Sequence, residues 1–227
     1  MTLHGRGSSL PDHGGRFHVD CLRLLHDRLQ PETYPEIGTL HGLTLAFAQC
    51  ASIAIDPDFQ IDRTVIGRKR SLFLFQMTSD EFSCRHSAHA FLGEPVHLAF
   101  LDGMHLFEYL LRDFANTERC CLDKWTRSRS RYPLWWTGDV WKSVCILRRY
   151  RPDLTIATFN APPTGSILVS NLDPTSCVLD EHYGDTVAGF VDLADEATTF
   201  DEYVTNLAIA DTEQPGQVGL AMYHGCR

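Results

Sequence analysis

The 227-residue chain lacks the long apolar run that a membrane-spanning helix needs, because no stretch approaches about 18 uninterrupted apolar residues. It also lacks an excess of basic residues: 20 Lys and Arg stand against 29 Asp and Glu, for a formal net charge of -9. A field of that sign repels phosphodiester backbones and anionic lipid surfaces. The composition therefore argues against a membrane partner and makes nucleic acid a poor first hypothesis.

Paired cysteine motifs are absent as well. The eight cysteines include no C-x-x-C pair, and several of them fall inside apolar patterns. That distribution is typical of reduced, buried thiols, not of a disulfide scaffold or a zinc site. The first thirty residues also contain no apolar core of the signal-peptide type. These features together predict a cytoplasmic protein.

The chain divides into a short tail and one domain. Residues 1–16 are rich in Gly, Ser, His and Pro without periodicity, which predicts a flexible N-terminal tail. Residues 17–227 have a length that fits a single domain. Within it, the acidic stretches after residue 177 predict a C-terminal helical segment, 177–227.

Apolar strand patterns alternate with helical patterns through the first half of the domain. Four such strands are predicted, at 34–38, 51–56, 71–77 and 96–102, with a turn leading into a helix over 40–50 and a helix over 80–92. Strands that are apolar along their whole length and alternate with helices form a parallel sheet covered on both faces. Further on, the runs 154–159 and 166–172 are joined too closely to be parallel and predict an antiparallel pair. The pattern is that of an α/β, Rossmann-like, doubly wound fold.

Glycines follow the first predicted strand, at the carboxyl edge where open parallel sheets bind ligands. Gly38 and Gly42 let the backbone turn tightly and approach a ligand, and Glu36 leads the turn. Asp56 ends the second strand, twenty residues after Glu36, where a carboxylate can accept hydrogen bonds from both hydroxyls of a ribose. This order of residues predicts a cofactor that contains a nucleoside.

The next two strand ends are also polar. Ser79 and Asp80 follow the third strand and suit the edge of a base, and Asp102 ends the fourth. The turn that begins at Glu36 differs from the G-x-G-x-x-G pattern of NAD-binding folds. An NAD-linked oxidoreductase is therefore kept only as a further alternative.

Several segments resemble class I S-adenosylmethionine-dependent methyltransferases, specifically the bacterial small-molecule O-methyltransferase-like branch. They are "YPEIGTLHGLTLA", "IAIDPDF", "MTSDEF", "LAFLDGMHLFEYLLRDFANTER", "WTGDVWK" and "RYRPDL", and the resemblance spans about residues 17–185. It implies a seven-stranded, mostly parallel sheet whose last strand is antiparallel. It also implies S-adenosylmethionine as cofactor, with its methionine part near Glu36, Gly38 and Gly42, its ribose at Asp56, and its adenine near Ser79 and Asp80.

Methyl transfer requires an aligned acceptor whose proton is removed or masked. In one route, similar to that of catechol-type methyltransferases, Asp102 and Asp123 hold Mg²⁺, which lowers the pKa of the acceptor hydroxyl. In the other route His105, three residues after Asp102, is the general base. We expect O-methylation of a small molecule, such as a sugar or secondary metabolite; a homo-oligomer is left open.

The segment 120–142 departs most from the family pattern. Only "CCLD" precedes Trp125, so we expect either a short fifth strand or a rebuilt loop there. Arginines and tryptophans interleave along the rest of the segment, which fits an active-site lid, buried tryptophans beside solvated arginines, or a nucleic-acid contact. The departure motivates an alternative function: a catalytically weakened, methyltransferase-like binding or interaction protein.

Overall fold

The computed structural model describes residues 14–121, 125–128, 139, 141–162, 165–191 and 209–213. Thirteen of the sixteen residues in the predicted tail lie outside this part, so the division into a tail and one domain stays a prediction. In the described ranges, no helix is long and apolar enough to cross a membrane.

Strands and helices alternate as the sequence predicts. The strands are β1 (Thr33–Ile37), β2 (Ala51–Ile55), β3 (Leu72–Phe75), β4 (Ala99–Leu101), β5 (Trp125–Ser128), β6 (Thr155–Phe159), β7 (Ser166–Ser170) and β8 (Ile209–Ala210). The helices are α1 (His18–Leu29), α2 (Ser79–Arg85), α3 (Ala88–Leu92), α4 (Phe107–Glu118), α5 (Trp141–Tyr150), α6 (Val178–Glu181) and α7 (Tyr183–Val191).

All these strands form one sheet in the order β3-β2-β1-β4-β5-β7-β6-β8. Neighbours from β3 to β5 are parallel, whereas β7 runs antiparallel to both β5 and β6. The parallel α/β sheet and the antiparallel pair are therefore confirmed. The predicted strand count of seven is exceeded, because the short β8 pairs with β6. The doubly wound arrangement stays a prediction.

The inner strands are apolar on both faces because each face packs against its own core. Ile53 of β2 belongs to the core that contains Leu111 of α4. Its neighbour Ala54 points to the other face, into the core that contains Leu22 of α1. Successive side chains of a strand point to opposite faces, so both must be small or apolar when both faces are covered.

Two predicted helices differ from the structure. The helix expected after the first glycine turn is only a 3-10 turn, Leu45–Phe47. The single helix expected over 80–92 is two helices, α2 and α3, because the backbone of His86 and Ser87 is extended between them.

The fifth strand also lies elsewhere than expected. It spans Trp125–Ser128 and pairs with β4 on one side and β7 on the other, whereas Cys121 forms only an isolated bridge with Val96. Pairing on two sides satisfies the backbone of β5, and that tertiary effect is invisible in the local pattern. The fifth strand is short, with four residues, but it lies after "CCLD" and not within it. Asp123 lies outside the described residues.

Candidate functional site

A cavity of about 760 Å³ opens at the carboxyl edge of the parallel strands. We call it the carboxyl-edge cavity. It is lined by residues that end or follow β1, β2, β3 and β4, together with Tyr109 of α4. Its volume is within the range of small-molecule sites. The lining includes six of the predicted site residues: Gly38, Asp56, Ser79, Asp80, Asp102 and His105.

Gly38 brings the ends of β1 and β4 into backbone contact. Its φ is 84°, a left-handed conformation, and a methyl group on its Cα would lie 2.0 Å from the carbonyl oxygen of Asp102. The N–H of Asp102 donates to the carbonyl of Ile37 at 2.8 Å. Only glycine allows this approach without displacing the backbone.

Asp56 ties the first turn to the end of β2. Its side chain is buried, and its two carboxylate oxygens accept from the backbone N–H groups of Leu40, at 2.7 Å, and Asp58, at 2.8 Å. An ionised carboxylate has about four lone-pair sites, so acceptor capacity remains for ribose hydroxyls. Leu40, which has a φ of 45°, lines the cavity and was missed by the sequence analysis.

Glu36 does not line the carboxyl-edge cavity. It is fully buried, and its Oε2 accepts from the hydroxyl of Tyr34 at 2.6 Å. Burial raises the pKa of Glu36 to about 7, although hydrogen bonds from Tyr34, Thr39 and Thr44 oppose the shift. The nearby charge of Asp102 raises this pKa further. Glu36 is therefore a buried residue of β1 next to the glycine turn, and it is not part of the cavity wall.

Gly42 likewise supports the turn without lining the cavity. Its φ is 75°, and a methyl group there would lie 2.6 Å from Cγ1 of Val65. Behind this contact the buried ammonium of Lys69 donates to the carbonyls of Leu45, Ala48 and Val65, at 2.8, 2.6 and 2.7 Å. The first turn is therefore fixed by glycine packing on one side and by a lysine on the other.

Ser79 and Asp80 begin α2 at the edge of the cavity. The Asp80 carboxylate receives two hydrogen bonds from Arg112 of α4, at 2.9 and 2.6 Å. Asp113, the next residue of α4, is buried, and burial raises its pKa to about 6, although the side chain of Ser79 opposes the shift. Sequence reasoning missed both α4 residues, because their partners lie more than thirty residues away.

Asp102 and His105 line the cavity at its β4 edge, close to the start of α4. Within the described ranges, the one group of three potential metal ligands is Glu32, Glu94 and His97. Two of these precede β1 and β4 and so lie at the opposite edge of the sheet. Among the described residues, Asp102 is not a member of a group of three potential ligands.

Comparisons with known proteins show similarity in structure only. No family model matches the sequence, and no curated protein matches it. Among solved structures, the O-methyltransferase TomG from Streptomyces achromogenes, involved in tomaymycin synthesis and in complex with SAM, has a TM-score of 0.51 at 12% identity. That match covers 69% of this chain and 80% of TomG.

Two other structures give similar values. Cofactor-bound Rv0187 from MTB has a TM-score of 0.53 at 13% identity, with 68% of this chain and 79% of that chain covered. A protein from Klebsiella pneumoniae assigned as an O-methyltransferase has a TM-score of 0.51 at 14% identity, with 76% and 84% covered. At these identities the likeness shows the fold, and it confirms the methyltransferase resemblance at that level.

Proposed function

We propose that this protein is an S-adenosylmethionine-dependent methyltransferase that methylates a hydroxyl oxygen of a small molecule, such as a sugar or secondary metabolite. One observation carries the proposal. The carboxyl-edge cavity brings together Gly38, Asp56, Asp80 and His105 from four separate strand ends, in a sheet with the methyltransferase fold.

The residues around the cavity fit this cofactor. Because Gly38 has no side chain, the backbone of Asp102 can approach it closely, and both residues line the cavity. Asp56 offers carboxylate lone pairs for the ribose hydroxyls, and Ser79 and Asp80 offer polar groups for the base. S-adenosylmethionine supplies an electrophilic methyl group when bound.

The chain's own task is then to orient the acceptor and accept its proton. His105 and Asp102 line the same cavity, and Asp102 comes three residues before His105 in the sequence. A neutral imidazole in this position can take the hydroxyl proton during transfer, and general base catalysis of this kind contributes about 10²–10⁴-fold to the rate. Asp102 provides a negative charge that stabilises the imidazolium so formed.

The Mg²⁺ route stays a prediction. Of its two proposed ligands, Asp102 lines the cavity and Asp123 lies outside the described residues. Mg²⁺ prefers octahedral oxygen coordination and often keeps several waters, and among the described residues Asp102 belongs to no group of three potential metal ligands. We therefore derive no step through a metal.

Calorimetric titration with S-adenosylhomocysteine tests the proposal. We expect the folded protein to bind it, and Asp56→Ala to weaken binding at least about tenfold, because hydrogen bonds to a charged group are lost. Asp58→Ala is the matched control: its carboxylate is exposed and receives a hydrogen bond from Gln60 at 3.0 Å, so affinity should stay unchanged. A folded protein that binds NAD and not S-adenosylhomocysteine would contradict the assignment.

The alternative of a catalytically weakened binding protein was based on a shortened fifth strand. β5 has only four residues, Trp125–Ser128, but it pairs with β4 on one side and β7 on the other, so the sheet is continuous there. Transfer of a labelled methyl group to a panel of phenols and sugars separates the two functions. A binding protein would bind the cofactor without consuming it with any acceptor.

A further inference from the structure

Arg112 of α4 holds the carboxylate of Asp80 in a two-point contact. Its Nε donates to Oδ1 at 2.9 Å and its Nη2 donates to Oδ2 at 2.6 Å. The side chain of Asp80 is 43% exposed, and it lines the carboxyl-edge cavity. A planar guanidinium paired in this way fixes both the position and the plane of the carboxylate.

Two aromatic residues hold Arg112 in turn. Its Nη1 donates to the hydroxyl of Tyr183 in α7 at 2.7 Å, and that hydroxyl donates to the carbonyl of Glu108 at 2.9 Å. The guanidinium carbon also lies 4.4 Å from the ring centroid of Tyr109. Tyr109 and Asp80 both line the cavity, whereas Arg112 does not. Arg112 therefore contacts two residues of the cavity wall from behind.

This arrangement determines what Asp80 can offer to a ligand. The two hydrogen bonds from Arg112 use one lone pair on each carboxylate oxygen of Asp80, and the remaining lone pairs are available to a ligand. A carboxylate paired with a guanidinium only accepts hydrogen bonds, so this edge of the cavity offers acceptors to a ligand. A purine with a 6-amino donor satisfies such a surface, whereas a 6-oxo purine would place an acceptor against it.

We infer that Arg112, anchored by Tyr183, is a positioning residue that makes the Asp80 edge of the cavity selective for a 6-amino purine. The inference rests on the proposed function, because it assigns that edge to the base of the cofactor. It adds a specificity determinant formed by α4 and α7.

The affinity ratio of S-adenosylhomocysteine to S-inosylhomocysteine, which carries a 6-oxo purine, tests the inference. Calorimetric titration of both ligands should show that the wild type prefers the 6-amino ligand by at least about tenfold, the effect of one charged hydrogen bond. In Arg112→Met the ratio should fall below about threefold. A merely structural role of Arg112 would weaken both ligands equally and leave the ratio unchanged.

Arg119→Met is the matched control. Arg119 is the residue that caps the C-terminal end of α4, and it pairs with Asp180 of α6, but it does not line the carboxyl-edge cavity. Its removal should leave the ratio at the wild-type value. If Arg112→Met fails to fold, Tyr183→Phe is the variant to test. It removes the hydroxyl that accepts from Arg112 and retains the two hydrogen bonds from Arg112 to Asp80. We then expect at least a threefold drop in the ratio.

The outcomes separate this inference from the function on which it rests. A wild-type ratio near one, or an unchanged ratio in Arg112→Met or Tyr183→Phe, would overturn the inference and leave the methyltransferase assignment intact. A folded wild-type protein that binds neither purine ligand would refute the proposed function itself.

Discussion

Gly38 and Gly93 form a matched pair that tests how far the first turn depends on the absence of a side chain. Both are left-handed, with φ of 84° and 74°. They differ in the space around them. A methyl group on Gly93 meets nothing within 4 Å, whereas one on Gly38 would lie 2.0 Å from the carbonyl oxygen of Asp102.

The two alanine variants should therefore differ in stability. Gly93→Ala acquires only left-handed strain, about 1–2 kcal/mol. Gly38→Ala has the same strain, and in addition the backbone at Asp102 must move by about 1 Å to relieve the contact. That movement weakens the hydrogen bond from Asp102 to Ile37, worth about 0.5–1.5 kcal/mol. Overpacking adds about 1–3 kcal/mol, so we expect a total loss of about 2.5–6.5 kcal/mol.

Urea unfolding followed by far-UV circular dichroism measures both losses, and titration with S-adenosylhomocysteine measures the site. Gly38→Ala should lose cofactor affinity at temperatures where it is still folded, whereas Gly93→Ala should bind like the wild type. Equal free energies of unfolding for the two variants would refute the reasoning, because the contact with Asp102 would then have no effect.

Three further predictions concern the side chains of Glu36, Lys69 and His105. Since burial raises the pKa of Glu36 to about 7 from 4.5, the folded state keeps a proton that the unfolded state releases. Stability should fall by on the order of 1 kcal/mol per pH unit between those values, and Glu36→Gln should flatten this slope in unfolding experiments at pH 5 and pH 7. Lys69→Met should lose roughly 2–4 kcal/mol of stability, because three buried carbonyls lose their donor, while the exposed Arg68→Met changes it by less than about 0.5 kcal/mol. His105→Ala should lower methyl transfer by about 10²–10⁴-fold with unchanged S-adenosylhomocysteine affinity; a chelator that abolishes wild-type turnover would instead favour the metal route through Asp102.

Most of the cavity wall could be predicted because it depends on strand ends. Apolar runs fixed where the parallel strands lie, and the polar residues after them necessarily meet at one edge of the sheet. Gly38, Asp56 and Asp102 follow from that rule alone. The side chain of Glu36 points away from this edge, and a signal for that was present: Tyr34 and Glu36 are two residues apart in a strand, so they share a face and can pair.

The rest depends on tertiary contacts that local patterns do not encode. The left-handed Leu40 is set by its hydrogen bond to Asp56, and no propensity of leucine indicates it. Arg112 meets Tyr183 across 71 residues of sequence. Either residue read singly is an ordinary polar position on a helix, and their pairing appears only when α7 packs near α4.

The position of β5 also bears on how the acceptor hydroxyl loses its proton. The metal hypothesis placed Asp123 at the carboxyl end of the fifth strand, whereas β5 begins at Trp125 and ends at Ser128. The described carboxylate that follows β5 is Asp139, whose Oδ1 accepts from the N–H of Phe107 at 2.9 Å and whose Oδ2 pairs with Lys142 at 2.9 Å. A carboxylate already neutralised by a buried lysine is a weak ligand for Mg²⁺. Its bond to Phe107 instead holds the first residue of α4, two residues after His105.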